Sequence, residues 1–183
     1  IPFLVNAGIQ NSGQTCSASS RILVQDSIYK IVIERMSEVY KNLKVAPALE
    51  NKDLGPVISK RQLKIITKYL EKSRELKLCA EGSLTKNTKG QGYYVSPKLF
   101  ETENYLHPLA QEEIFGPIQI IIPFKSEADA IKIANSTEYG LVASVWTENG
   151  SRQIRVAKAV KAGQVFVNNY GAGGGVELPF GGV

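Results

Sequence analysis

Seven residues, Ile118 to Phe124, read Ile-Gln-Ile-Ile-Ile-Pro-Phe, and an apolar run of that length after a Gly-Pro pair is the pattern of a strand buried on both faces. Such a strand has to be covered from above and below. The rest of the chain supplies the cover in alternation. Pro2 to Gln10 is apolar at helical spacing, with proline at a tolerated first-turn position. Arg21 to Gln25 is a short strand, and Asp26 is placed to cap a helix over Ser27 to Leu43, where Ile28, Ile31, Val32, Met36, Val39, Tyr40 and Leu43 recur at intervals of three and four. Lys44 to Pro56 reads as irregular, and Ser59 caps a second helix that continues through Arg74. Further strands are expected at Leu76 to Ala80, at Tyr93 to Val95 with Leu99-Phe100 beyond a break at Pro97, at Gly140 to Thr147 and at Gln164 to Asn168. Helices are expected over Ser126 to Asn135 and Ser151 to Lys161. Strands alternating with helices of this length predict an α/β fold, a largely parallel open sheet with helices on both faces.

The 183 residues suffice for one domain or for one domain of a larger protein, and an apolar fraction of 43 % excludes a disordered chain. Ile1 stands where a methionine would open a complete chain, and the sequence stops at Gly181-Gly182-Val183, so an excised piece is expected. The net charge of +5 is spread along Lys30 to Lys77 and Lys125 to Lys161 with no interleaved aromatics, which reads as solvated helix faces and argues against a nucleic-acid partner. No apolar run reaches membrane-spanning length and no signal peptide is evident, so no membrane partner is expected. Two distant cysteines do not make a disulfide framework, and a reducing cytoplasmic setting suits them. The single histidine, His107, leaves neither a zinc site nor a good base for a Cys-His pair, so no metal is expected.

Chemistry gathers at Asn11-Ser12-Gly13-Gln14-Thr15-Cys16-Ser17-Ala18-Ser19-Ser20-Arg21. Cys16 lies in a small polar turn between apolar segments, where backbone amides can reach a developing anion, and it is the candidate nucleophile. Its bland alternative is a small buried apolar residue. Cys79, flanked by Leu78 and Ala80 in a strand pattern, reads as core packing. A second distinctive stretch is Pro108-Leu109-Ala110-Gln111-Glu112-Glu113-Ile114-Phe115-Gly116-Pro117, which puts paired carboxylates in a bend before the buried strand. Taken alone, such a pair is usually a solvated surface. The glycines from Gly171 to Gly175 do not make a dinucleotide loop, because Val176 stands where a third glycine is needed and no helix follows, so a flexible loop is expected.

Gly-Gln-x-Cys with a following Ser-Arg pair, together with Glu-Glu-Ile-Phe-Gly-Pro, resembles the NAD(P)-dependent aldehyde dehydrogenase family. The likeness runs through Gly55-Pro56-x-Ile58, through Gly163 to Asn169 and on to Pro179-Phe180-Gly181-Gly182, in the family's order along essentially the whole chain. Three residues after the cysteine the family usually has glycine, where this chain has Ser19. The resemblance implies that the chain, residues 1–183, is a catalytic domain with Cys16 as nucleophile. It further implies that Glu113 bonds the nicotinamide ribose, that Phe115 packs by the nicotinamide ring and that Gln62 also reaches the cofactor, NAD or NADP. Gln62 as an ordinary exposed helix residue is an equal reading. By the same resemblance Phe180 borders a small-molecule aldehyde, and Tyr170 and Phe180 together hint at an aromatic-lined mouth. The dinucleotide-binding domain, the second oxyanion donor and the water-activating glutamate fall outside these residues, and a homo-oligomer is expected. Two alternatives stay open: a coenzyme A-acylating relative, and a non-enzymatic scaffold or partner-binding module.

Overall fold

The computed structural model describes residues 1–90, 92–171 and 178–183. The glycine-rich stretch expected to be a loop falls mostly on residues 172–177 and so lies outside the described residues. In chain order the helices are α1 (Pro2–Ile9), α2 (Asp26–Asn42), α3 (Lys60–Lys72), α4 (Pro108–Gln111), α5 (Glu127–Ala134) and α6 (Gly150–Ala159). The strands are β1 (Arg21–Gln25), β2 (Lys44–Val45), β3 (Lys77–Glu81), β4 (Ser83–Leu84), β5 (Lys98–Glu101), β6 (Ile118–Phe124), β7 (Val142–Val145) and β8 (Gln164–Val167). The main sheet has the order β1-β6-β5-β3. β6 runs parallel to both β1 and β5, β3 is an antiparallel edge, and β7 and β8 form a separate parallel pair.

β6 is the axis of the molecule, as its isoleucines require. Ile118, Ile120 and Ile122 project into one cluster with Phe100, Ile66 of α3, Leu109 of α4 and Ile133 of α5. Ile121 projects the other way, into a cluster with Leu99, Ile22, Val24 and residues Val5, Met36 and Tyr40 of α1 and α2. Successive side chains of a strand point to opposite faces, so a strand apolar at nearly every position needs helices on both sides. It has them here.

Three local expectations are corrected. Asp26 is the first residue of α2, not its cap; Gln25 occupies that position without a side-chain cap bond, and the carboxylate acts through its place in the first turn, where the helix dipole favours negative charge. Tyr93 to Val95 is not strand. The Tyr93 carbonyl instead accepts from the Val57 amide, and pairing starts at Lys98, just after the donor-less Pro97. Cys79 is only partly buried, on edge strand β3, and packs against the α1/α2 cluster from its margin. Ser59 does cap α3, accepting from the Gln62 amide at 3.2 Å. No helix among the described residues is long and apolar enough to cross a membrane.

Candidate active site

Between α1 and β1 the chain makes a turn that most residue types resist. Asn11, Ser12 and Gly13 have φ of 51°, 55° and 74° in succession, a left-handed conformation that costs a non-glycine residue about 1–2 kcal/mol. Asparagine and glycine tolerate it best, and side-chain hydrogen bonds hold the rest. The Asn11 amide donates to the Gln14 carbonyl and the Gln14 amide returns to the Asn11 carbonyl, both at 3.0 Å. Ser12 Oγ donates to the Gly55 carbonyl at 2.9 Å, and Gln14 Oε1 accepts from the Ile58 amide at 2.8 Å. The turn is thereby anchored to the segment that leads into α3.

Cys16 follows in a tight turn closed by the Ala18 amide on the Thr15 carbonyl at 3.0 Å. Its far side is suspended from buried structure. The Ser19 amide donates to the Ala7 carbonyl of α1 at 2.9 Å, and the Ser19 carbonyl accepts from Gln119 Nε2 at 2.6 Å. Gln119 is the one polar side chain in the apolar run of β6, and it is fully buried. Its amide also donates to the Leu4 carbonyl at 2.9 Å, while Oε1 accepts from the Tyr40 hydroxyl at 2.6 Å. A buried amide with every partner met is a rigid tie, and this one fastens α1, α2 and the cysteine turn to the central strand. Gly8 leaves the room for it: a Cβ there would lie 2.1 Å from the Gln119 amide carbon. The thiol of Cys16 is exposed.

The second motif meets the first backbone to backbone. A Cβ on Gly13 would stand 2.0 Å from the Gly116 carbonyl oxygen, so the cysteine turn and the Glu-Ile-Phe-Gly bend touch where neither has a side chain. Upstream, His107 and Pro108 start α4, His107 Nδ1 accepting from the Leu109 amide at 3.1 Å. The lone histidine is thus a helix cap, away from the thiol. Glu112 and Glu113 then diverge. Glu112 accepts from the Tyr69 hydroxyl at 2.8 Å with Lys72 at 3.7 Å, and that lysine lies over the Tyr69 ring. Burial and then the Glu112 bond push the Tyr69 phenol up to about 12, so it stays a donor. Glu113 offers its backbone amide to the Tyr139 hydroxyl at 3.4 Å, and among the described residues its carboxylate has no partner.

Phe115 turns back with φ 56°, and Gln62 of α3 supports that bend by donating to the carbonyls of Ile114 and Phe115 at 3.1 and 2.9 Å. Cys16, Ser17, Glu113, Phe115 and Tyr170 line one cleft of about 870 Å³. Gln62 and Phe180 are not on its wall; the Gln62 amide is spent on backbone, and Phe180 is exposed. Arg21 also reaches the cleft. Its guanidinium donates to the Ile133 carbonyl at 2.8 Å at the end of α5, and burial lowers its pKa. Its role in holding β1 to α5 is invisible in sequence, although the Ser-Arg pair after the cysteine marks the place. Gln119 had a clearer signal, a single amide inside an isoleucine run.

The two cysteines differ in a way that can be measured. Burial first, then the Glu101 charge, raises the Cys79 thiol to about 11, which leaves little thiolate near neutrality. At pH 8 the exposed Cys16 will therefore be alkylated by iodoacetamide before Cys79, read by peptide mass spectrometry. Equal rates in the folded chain would contradict the assignment.

A sequence model described as the aldehyde dehydrogenase family matches residues 1–183. The chain is 41 % identical over 178 residues to an Emericella nidulans aldehyde dehydrogenase, matching 94 % of the chain and 34 % of that protein. A crystal structure of a Burkholderia cenocepacia relative superposes with a TM-score of 0.96 at 44 % identity, over all of the chain and 39 % of the other. The NAD+ complex of a Bacillus cereus aldehyde dehydrogenase does so with a TM-score of 0.91 at 32 % identity, over all of the chain and 37 % of the other. The chain thus spans little more than a third of the length of these relatives.

Proposed function

This chain belongs to the aldehyde dehydrogenase family, and from that premise we propose that residues 1–183 are the nucleophile-bearing domain of an enzyme that oxidises an aldehyde to a carboxylic acid with NAD or NADP. One observation carries the reading: an exposed thiol shares a cleft with an aromatic ring and a carboxylate that has no partner among the described residues, all held on hydrogen-bonded turns. In this reading Cys16 adds to the aldehyde carbon, its S–H proton leaves to solvent, and a thiohemiacetal forms. The new oxyanion needs donors already in place. Among the described residues the amides of Cys16 and Ser17 donate to no carbonyl, which leaves them for that task. Loss of hydride from the thiohemiacetal carbon leaves a thioester on Cys16, and water releases the acid and restores the thiol.

The cleft wall suits a nicotinamide nucleoside. Glu113 can accept from two vicinal hydroxyls, and Phe115 offers a planar apolar surface. When bound, the nicotinamide would accept the hydride. Gln62 acts here as a positioning residue, setting the Phe115 bend from behind. Tyr170, and Phe180 beyond the cleft, border the aldehyde's approach. The dinucleotide phosphates, the second oxyanion donor and the water-activating base belong to the remainder of the protein, and the whole is a cytoplasmic homo-oligomer.

The test is an aldehyde panel assayed with both cofactors on the longer protein, with product identified as free acid. Release of acyl-coenzyme A would reassign the second half-reaction, and no turnover with any aldehyde would sink the proposal. Two further outcomes follow. The 183-residue chain by itself will reduce no cofactor, because dinucleotide binding needs phosphate contacts that this reading assigns to the remainder of the protein; turnover near that of the longer protein would show the chemistry is not shared. In the longer protein, Glu113→Ala will lower kcat/KM by about ten- to a hundredfold, the value of a charge-assisted hydrogen bond. Glu112→Ala will instead act on stability through Tyr69 and Lys72. Interchangeable kinetics for the two variants would refute this division of labour.

A further inference from the structure

The ladder between β1 and β6 ends just short of the cysteine turn, and a side chain continues it. Its last backbone bond on that side runs from the Ile120 amide to the Ser20 carbonyl at 2.9 Å. The next carbonyl back, that of Ser19, is met by Gln119 Nε2 at 2.6 Å. Ser19 is held at its other end too, its amide donating to the Ala7 carbonyl, so the residue is a fixed post. Gln14, whose side chain accepts from the Ile58 amide, is the post on the other side. Only Thr15-Cys16-Ser17-Ala18 spans the two posts, in the turn closed by the Ala18 amide. The amides of Cys16 and Ser17 lie at the middle of that span and donate to no carbonyl among the described residues. Where they point is therefore set by where the posts stand.

We propose that Gln119 is a positioning residue for chemistry at Cys16: through the Ser19 carbonyl it aims the Cys16 and Ser17 amides at the oxygen that turns negative when the thiolate adds to a carbonyl carbon. In a fully buried place an aliphatic side chain would pack as well as an amide. What the amide adds is direction, because hydrogen bonds in a low dielectric fix an orientation that apolar contact leaves loose. Its nitrogen faces the carbonyls of Leu4 and Ser19, which only a donor can satisfy, and the Tyr40 hydroxyl takes up the oxygen behind. Burial raises the Tyr40 phenol above its ordinary value, so that hydroxyl stays protonated and donates. The backbone is shaped around this one side chain: a Cβ on Gly8 of α1 would fall 2.1 to 2.4 Å from three of its atoms. The inference rests on the reading of Cys16 as nucleophile, and not on the identity of the aldehyde or the cofactor.

Two reagents separate aim from reactivity. p-Nitrophenyl acetate acylates a thiolate through a tetrahedral oxyanion: sulfur bonds to the carbonyl carbon, the bond from that carbon to the phenolic oxygen breaks, and p-nitrophenolate leaves. Iodoacetamide alkylates the thiolate by displacement of iodide, and no oxyanion forms. Both consume the same thiolate, so the ratio of the two rates at Cys16 reports oxyanion stabilisation. The measurement is made on the longer protein without cofactor, with Cys16→Ser as the blank. The expected result is that Gln119→Met lowers the ratio by about 10- to 100-fold, the range for a misaimed oxyanion donor, while alkylation stays near that of the unsubstituted protein. Tyr40→Phe removes another bond of the same network and leaves the Ser19 tie in place, so it will lower the melting temperature and leave the ratio unchanged. Should Gln119→Met fail to melt cooperatively, Gln119→Glu, of the same shape and with at most one proton to donate, will show a fall of about threefold or more. An unchanged ratio in a folded Gln119 variant would overturn the proposal. So would an equal fall in Tyr40→Phe, which would trace the effect to general loosening of the core. No cofactor enters these rates, so the expected fall in a protein that oxidises no aldehyde would sink the dehydrogenase reading alone.

Discussion

Cys16→Ser in the longer protein will abolish aldehyde oxidation, lowering kcat by about 10^4-fold or more while leaving the fold intact. The size of the effect follows from the chemistry. A serine hydroxyl is a far poorer nucleophile near neutrality than a thiol, and this chain's one histidine, His107, is committed to capping α4. The substitution removes no packing, because the side chain is exposed, so the melting temperature should move by little. Mass spectrometry under turnover gives the sharper readout: a Cys16-linked acyl adduct with the unsubstituted protein and none with the variant. Cys79→Ser is the matched control. An enzyme that kept its rate without Cys16 would remove the nucleophile from this site.

The cysteine turn and the glutamate bend were legible because their signals are local. Cys16 sits in a polar turn between apolar segments, and the Glu-Glu-Ile-Phe-Gly-Pro bend precedes an apolar strand found at Ile118–Phe124. The two faces of the sheet were legible for the same reason, since seven nearly continuous apolar positions admit no half-exposed strand. What escaped the sequence is what depends on partners distant along the chain. Nothing in Gly13 announces Gly116, more than a hundred residues on, and Gln119 reads as an irregularity in an isoleucine run until Leu4, Ser19 and Tyr40 are seen to meet it. Adjacent glutamates look alike in sequence; Tyr69 and Lys72 engage the Glu112 carboxylate, while that of Glu113 has no partner among the described residues. Asp26 shows the opposite failure, a good local cap signal overridden when strand β1 runs straight into α2 and the helix starts one residue early. The division between β1 and β7 was out of reach for a simpler reason: strand pattern shows that a strand exists, not which edges meet.

Gly13→Ala will be among the most damaging single substitutions in the chain, although it adds one methyl group. Two independent costs fall on it. The residue has φ +74°, which an alanine adopts at a cost of about 1–2 kcal/mol. The added Cβ would also stand 2.0 Å from the Gly116 carbonyl oxygen, with the Pro117 nitrogen at 2.6 Å, and these are backbone atoms that cannot rotate away. Forcing the two turns apart is an overpacking cost of about 1–3 kcal/mol, and together the terms come to about 2–5 kcal/mol. For a chain of this length that is a fall in melting temperature of roughly 10 °C. Relief of the clash moves the cysteine turn relative to Glu113 and Phe115, so in the longer protein catalysis should suffer beyond what instability explains. Gly150→Ala is the control, because a Cβ there meets nothing within 4 Å and φ is not positive. Thermal melts of both variants, with kcat measured well below either midpoint, decide the matter. If Gly13→Ala melted with the unsubstituted protein and kept its rate, the contact between the two turns would not be what holds this site together.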